Sequence, residues 1–225
     1  MPHAASENTS LRCIAKFVYD KGLTQKNPIT LETLSGIKTI AMDVADGKVV
    51  SATVDMGVPI TDPSSIPMTW EKSICLDETI TVTVDGAPLS LRGTGVSMGN
   101  PHFVTFVEDV ATAPVEKVGR VIEHSSYFPE RVNVEFVEIV DDNHVKFRVW
   151  ERGSGETLAC GTGACAVAYT AITLGKAGRR DQFLTVEAVG GPLQLNYRSD
   201  GHMMMKGPAV TVYEGEMEIP DNILK

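Results

Sequence analysis

Glu151-Arg152-Gly153-Ser154-Gly155-Glu156-Thr157-Leu158-Ala159-Cys160-Gly161-Thr162-Gly163-Ala164-Cys165-Ala166 leaves the end of a strand, crosses a glycine-rich loop and enters a helix. The spacing predicts that helix from about Thr162 to Leu174, with Gly175 as its stop. Ala164, Cys165, Ala166, Val167, Ala168, Tyr169, Ala171 and Ile172 make it apolar nearly all round. A helix of that kind has to be enclosed by other structure. Its small side chains let strands come close, so the rest of the chain should supply a sheet that wraps it.

The chain does read mostly as strands and tight turns. Thr39–Val44 and Val49–Val54 flank Ala45-Asp46-Gly47-Lys48, a hairpin signal. Thr79–Val84 and Leu89–Arg92 flank Asp85-Gly86 in the same way. Val134–Val140 and Val145–Trp150 flank Asp141-Asp142-Asn143-His144, and Leu184–Ala188 and Leu193–Tyr197 flank Gly190-Gly191-Pro192. Met203–Lys206 and Ala209–Tyr213 are expected as the closing strands. Besides the central helix, Leu11, Ile14, Ala15, Val18 and Tyr19 follow helical spacing up to Gly22, and Val115–His124 is a weaker helix signal. The proline-bearing stretch from Met56 to Pro67 reads as a connector between two β-rich units, the first of about 55 residues, near the lower limit for an independent core.

Composition removes several classes of function. The 225 residues are 43% hydrophobic and 22% charged, which fits a folded globular chain rather than a disordered one. Lys and Arg total 20 against 29 Asp and Glu, a net charge of −9, and no basic block occurs. Binding a phosphate backbone needs clustered cations, so nucleic acid is not an expected partner. No apolar run has the length of a membrane span, and residues 1–10 lack the charged and apolar regions of a signal peptide. A cytoplasmic setting is the expectation. The four cysteines, Cys13, Cys75, Cys160 and Cys165, are then expected as reduced thiols. Zinc is not expected, because no Cys-x-x-Cys occurs and the five histidines are scattered.

The chemistry is concentrated around Cys160. A cysteine at a helix N-terminus has its thiolate favoured by the positive dipole end. The backbone N–H groups of Gly161 to Gly163 can hold a carboxylate beside it, and Arg152 offers a planar fork for a second carboxylate. By residue type alone, Cys160 and Cys165 also fit small buried core residues, and Glu151-Arg152 fits a solvated ion pair. Gly161-Thr162-Gly163-Ala164-Cys165-Ala166 matches a loose dinucleotide-binding pattern. That pattern requires a strand immediately before it and a βαβ unit around it. Here the strand ends near Trp150, and the following strands read as a hairpin.

The joint pattern is more specific. Glu151 to Ala166 resembles the second catalytic motif of the diaminopimelate epimerase family, Glu-Arg-Gly-x-Gly-Glu-Thr-x-Ala-Cys-Gly-Thr-Gly-Ala-Cys-Ala. Val96-Ser97-Met98-Gly99-Asn100-Pro101-His102 and Phe128-Pro129-Glu130-Arg131-Val132-Asn133 resemble two further segments of that family, and Gly207 to Gly215 resembles its closing strand and turn. The resemblance implies an α+β fold of two pseudo-symmetric β-barrel-like domains, each around a central helix, with the first domain incomplete. Residues 1–57 would be the remnant of the N-terminal domain and residues 58–208 the C-terminal domain. Residues 209–225 would be a closing strand returning to the first.

It also implies a reaction: epimerisation of LL-diaminopimelate to meso-diaminopimelate, a step toward lysine and peptidoglycan precursors. One thiolate removes the α-proton and a thiol on the opposite face returns one, with no pyridoxal phosphate, other cofactor or metal. Carried over by position, Cys160 is one acid/base. Gly161 and Thr162 bind the reacting carboxylate, Asn100, Asn133, Glu151 and Arg152 bind the remaining amino and carboxylate groups, and His102 lies near the thiols in a supporting role. The implied partner is the small-molecule substrate diaminopimelate, with no nucleic acid and no membrane. A homodimer is left open.

The first half departs from the family. Its first motif, Cys-Gly-Asn-Gly/Ala-x-Arg-Cys, aligns with Glu7-Asn8-Thr9-Ser10-Leu11-Arg12-Cys13. Arg12-Cys13 fits the end of the motif, but the catalytic position falls on Glu7. The strands that precede this motif in the family are not in the sequence, for which a truncated reading frame is the expected explanation. Activity of this chain is therefore in question. Two other readings stand beside epimerisation of diaminopimelate: a different cofactor-independent racemase, such as a proline-racemase-like enzyme, and a non-catalytic protein that binds a diamino-dicarboxylate.

Overall fold

The computed structural model describes residues 7–33 and 36–217. Three helices and twelve strands are formed: α1 (Glu7–Asp20), β1 (Ile29–Thr33), β2 (Gly36–Ala45), β3 (Lys48–Asp55), β4 (Glu78–Val84), β5 (Ala87–Ser97), β6 (Pro101–Phe106), α2 (Val115–Glu123), β7 (Asn133–Asp141), β8 (His144–Glu151), β9 (Gly155–Thr157), α3 (Gly161–Thr173), β10 (Phe183–Ala188), β11 (Gly191–Tyr197) and β12 (Met203–Pro208). No described helix is long and apolar enough to cross a membrane.

All strands join one mixed sheet in the order β1-β2-β3-β12-β11-β10-β8-β7-β6-β5-β4, with β9 paired to β8. The predicted hairpins form where turn chemistry is strongest. Asp46-Gly47 and Asp85-Gly86 both take positive φ at the two central positions, as a right-twisted two-residue turn requires. Gly22 and Gly175 likewise take positive φ just past α1 and α3.

Among the described residues only β6–β7 and β8–β10 are parallel pairs. Parallel neighbours need a crossover, and α2 and α3 supply one each. Both crossovers step in the same direction along the sheet, while β6 and β8 run oppositely. Right-handed connections then place the two helices on opposite faces. Two separate apolar clusters agree with this. One gathers Val118 and Ile122 of α2 with Ile80, Phe103, Val134 and Phe136. The other gathers α3 with Val104, Val137, Phe147, Val149, Leu195 and Met205, and it also draws in Leu11 and Ala15 of α1 and Ile40, Ala52 and Val54 of the first hairpin. It therefore takes residues from both sides of position 57. The sheet curls around α3, whose residues 163–171 are all buried.

Strand periodicity then decides what faces the helix. Side chains alternate between faces. His102 shares the α3 face with Val104, Asn133 and Glu135 share it with Val137, and Glu151 shares it with Val149. Phe103, Val134 and Trp150 face α2.

One expected strand is corrected. Pairing between β12 and β3 ends at Pro208 opposite Ser51, and Ala209–Tyr213 forms no strand. Alternating apolar residues suggested one, but a strand also needs a partner edge and a face to bury. Val210 and Val212 are both exposed. Only the Ala209 N–H reaches a neighbouring strand, donating to the Val50 carbonyl at 3.3 Å. The stretch from 218 onward, and residues 1–6, lie outside the described residues. Three strands had no clear signal in the sequence: β1, the three-residue β9, and β6, which begins at Pro101.

Candidate active site

The loop quoted at the outset is held rigidly before it reaches α3. Arg148 of β8 grips Glu156 of β9 with two bonds, Nε to Oε1 at 2.7 Å and Nη2 to Oε2 at 3.0 Å. Glu123, buried at the end of α2, accepts from the Trp150 indole at 2.6 Å and from the Gly153 amide at 3.0 Å. Asn133 accepts from the Arg152 amide at 2.7 Å and donates to the Pro101 carbonyl at 3.1 Å. The side chain of Asn133 thus ties the loop to β6 and β7. Among the described residues the Arg152 guanidinium has no carboxylate partner; its Nη1 donates to the Glu130 carbonyl at 3.2 Å. Glu151 accepts from the Thr157 hydroxyl at 2.5 Å.

Cys160 is the N-cap of α3, with extended backbone at φ −134° and ψ 114°. Its Sγ accepts from the Gly163 amide at 3.4 Å and lies 3.4 Å from the Thr162 hydroxyl. The N–H groups of Gly161 and Thr162, in the first turn, have no partner within the helix. They are the amides available to an anion at this mouth. Cys165 is fully buried one turn further on.

Asn100, His102 and Glu135 form a chain beside the mouth. Asn100 Oδ1 is 3.0 Å from His102 Nε2, and His102 Nδ1 is 2.6 Å from Glu135 Oε1. A Cβ on Gly163 would stand 2.8 Å from Glu135 Oε1 and 3.4 Å from Cys160 Sγ, so the carboxyl and the thiol flank one glycine. The glycine is required there by close approach, not by its dihedral angles.

His102, Asn133 and Glu151 thus lie on the α3 face of the sheet, Asn100 is joined to them through His102, Cys160, Gly161 and Thr162 lie at the mouth of α3, and Arg152 follows β8 with its guanidinium on the Glu130 carbonyl. Two residues that hold the site were not singled out from the sequence, Glu135 and Glu123. Glu135 carried a signal: two residues after Asn133 on a strand, it must share the face of Asn133. Glu123 stands at a helix end with no sequence pattern linking it to the loop.

At Cys160 the helix mouth and the surroundings act in opposite directions. A helix mouth favours a thiolate by an interaction of order 1 kcal/mol, but here it is outweighed. Burial above all pushes the Cys160 thiol from 9.0 up to about 12, with the Glu151 carboxyl adding to it, against smaller help from Thr162 and Gly163. Cys160 therefore stands as a neutral thiol at neutral pH. The folded state prefers the protonated form, so this contribution to stability is intact below pH 9 and is lost as pH rises toward 12. Burial raises Cys165 as well.

Exposure gives a direct test of the four thiols. Cys13 lies exposed in a surface groove with Phe17 and Val210, Cys160 is 4% exposed, and Cys75 and Cys165 are fully buried. With iodoacetamide at pH 7, peptide mapping should show modification of Cys13 first and Cys160 second. Cys75 and Cys165 should stay protected until the protein unfolds. Modification of Cys165 as fast as Cys160 would overturn this placement.

Among the described residues no cluster of His, Cys, Asp or Glu could hold a metal ion.

The comparisons with known proteins bear on this same region. The family profile described as diaminopimelate epimerase matches residues 94–212, from β5 past β12. A diaminopimelate epimerase of Methanococcus maripaludis (strain C5) is 49% identical over 211 residues, covering 93% of this chain and 74% of the relative. The diaminopimelate epimerase of Bacillus subtilis (strain 168) is 46% identical over 205 residues, covering 91% and 71%. Among solved structures, a probable proline racemase from Agrobacterium radiobacter superposes with a TM-score of 0.71 at 15% identity, over 96% of this chain and 68% of that one. A hydroxyproline epimerase from Agrobacterium vitis superposes with a TM-score of 0.64 at 16% identity, over 88% and 62%. At those identities the structural likeness speaks for the fold, while the relatives near one half identical speak for the family. With a thiol at the mouth of a wrapped helix and sequence identity near one half across almost its whole length, the chain belongs to the diaminopimelate epimerase family.

Proposed function

We propose that this chain moves the α-proton of diaminopimelate, in the interconversion of its LL and meso forms. The observation that carries the reading is the Cys160 thiol beside the unpartnered first-turn amides of α3. The amides of Gly161 and Thr162 hold the carboxylate on the reacting carbon, and they stabilise the charge that spreads onto it as the proton leaves. Cys160 works on that proton. As found, the thiol is a proton donor. Once its proton has passed to solvent, the same burial makes the thiolate a stronger base than an exposed one, which a weakly acidic carbon requires.

Arg152, half-buried and without a carboxylate partner among the described residues, takes the second carboxylate. Asn100, just before β6, and Asn133, at the start of β7, border the ligand. Glu151 offers an acceptor to the ammonium group, and His102 supports Asn100. Inversion needs a second group on the opposite face of the carbon. The family's cysteine at that place aligns with Glu7 at the start of α1. We therefore expect exchange of the α-proton from the Cys160 side to outpace inversion.

Ligand discrimination tests the reading. Calorimetric titration should give meso-diaminopimelate at least about tenfold tighter binding than lysine, which lacks the distal carboxylate; a charge-assisted bond of about 1.5–3 kcal/mol covers that factor. Equal affinities would remove diaminopimelate as the substrate.

A further inference from the structure

We propose that Glu135 is a positioning residue of this site: its carboxyl fixes His102 with the proton on Nε2, and this turns the Asn100 amide so that its NH2 group faces the ligand. The inference rests on the epimerase reading for the identity of that ligand.

The argument starts from an unpaired atom. Glu135 and His102 are both 0% exposed. Glu135 Oε1 meets His102 Nδ1 at 2.6 Å, but Glu135 Oε2 is buried with no hydrogen-bond partner. An ionised carboxylate would leave a charged oxygen bare in the interior, whereas a carboxylic acid leaves only a carbonyl oxygen. No described Lys or Arg pairs with Glu135, and Glu151 and Cys160 add no positive charge. Burial moves Glu135 in the same direction, raising its pKa against the opposing pull of His102. The neutral acid donates from Oε1 to Nδ1. A neutral imidazole that accepts at Nδ1 carries its proton on Nε2, and Nε2 then donates to Asn100 Oδ1 at 3.0 Å. With its oxygen engaged, Asn100 has only its NH2 group to offer, which suits a carboxylate and rejects an ammonium. The proton order of the chain thus gives Asn100 a sign.

The ring can be read directly. In ligand-free protein labelled with 15N-histidine, the signals of His102, assigned by their loss in His102→Gln, should show the Nε2-protonated neutral tautomer. Glu135→Gln supplies an amide donor to Nδ1. It should rescue both the tautomer and the affinity for meso-diaminopimelate, to within about twofold. Glu135→Leu removes the donor and should give mixed tautomers and at least a tenfold loss of affinity. An Nδ1-protonated ring or an imidazolium in the unmodified protein would overturn the proposal. So would a Glu135→Gln variant as impaired as Glu135→Leu. If the leucine variant fails to fold, the unmodified protein and the glutamine variant still decide. Failure of the unmodified protein to bind diaminopimelate would sink the epimerase reading, while the tautomer, measured without ligand, judges Glu135 separately.

Discussion

Replacing Cys160 by alanine should lower α-deuterium incorporation into diaminopimelate about 10³-fold or more, to near the solvent background. A positioned acid or base contributes roughly 10²–10⁴-fold to a proton transfer, and on the described face of the site no other group sits beside the α3 amides as Cys160 does. Its nearest ionisable neighbours, Glu135 and Glu151, are each engaged, with His102 and Thr157. The measurement is NMR of substrate incubated with enzyme in deuterated water, following deuterium content and stereochemistry together. In the unmodified chain we expect deuterium to enter faster than stereochemistry is lost. Inversion keeping pace with exchange would show that α1 supplies an effective second base. Exchange that survived Cys160→Ala would place the chemistry elsewhere. Affinity for meso-diaminopimelate should change far less than exchange, because the Gly161 and Thr162 amides and Arg152 remain.

The second large effect is on stability. Phe103 lies on β6 directly after His102 and points to the other face of the sheet. It is fully buried, with its ring 5.7 Å from that of Phe128. Gly93 of β5 lies so close that an added Cβ would stand 2.3 Å from Phe103 Cζ. Phe103→Ala should therefore cost about 3–5 kcal/mol. Gly93→Ala, overpacking a ring that has nowhere to go, should cost about 1–3 kcal/mol. In the double variant the new methyl group occupies space vacated by the ring. The combined loss should then fall short of the sum by about 0.5–3 kcal/mol. Urea unfolding of the four proteins measures this cycle. Strict additivity would mean that the two residues do not share one packing space.

How far the chain could be read from its letters differs from feature to feature. The hairpins around Asp46-Gly47 and Asp85-Gly86 were legible because their φ values are set by the residues themselves. The same holds for the ends of α1 and α3 at Gly22 and Gly175. α3 was legible as an enclosed helix because its apolar residues leave no polar stripe. The positions of Asn100, His102, Asn133, Glu151, Arg152 and Cys160 were carried by motifs in the sequence.

Other features needed the assembled sheet. No local signal pairs β6 in parallel with β7, and that pairing sets His102, which holds Asn100, opposite Asn133, which accepts from the Arg152 amide. Ala209–Tyr213 has a strand's alternation, but the chain leaves the β3 edge after Ala209, and Val210 and Val212 find no face to bury against. Glu135 is an ordinary acidic residue until β7 turns it inward against His102 and Gly163. The electrostatics at Cys160 lay outside the reach of the sequence for a related reason. A helix dipole is a property of one element, whereas burial and the carboxyl of Glu151 come from the strands that wrap α3. Turns and caps depend on a few neighbouring dihedral angles, so the sequence by itself determined them. Desolvation and charge at the thiol depend on residues from several elements meeting at one point, and only the tertiary structure decided those.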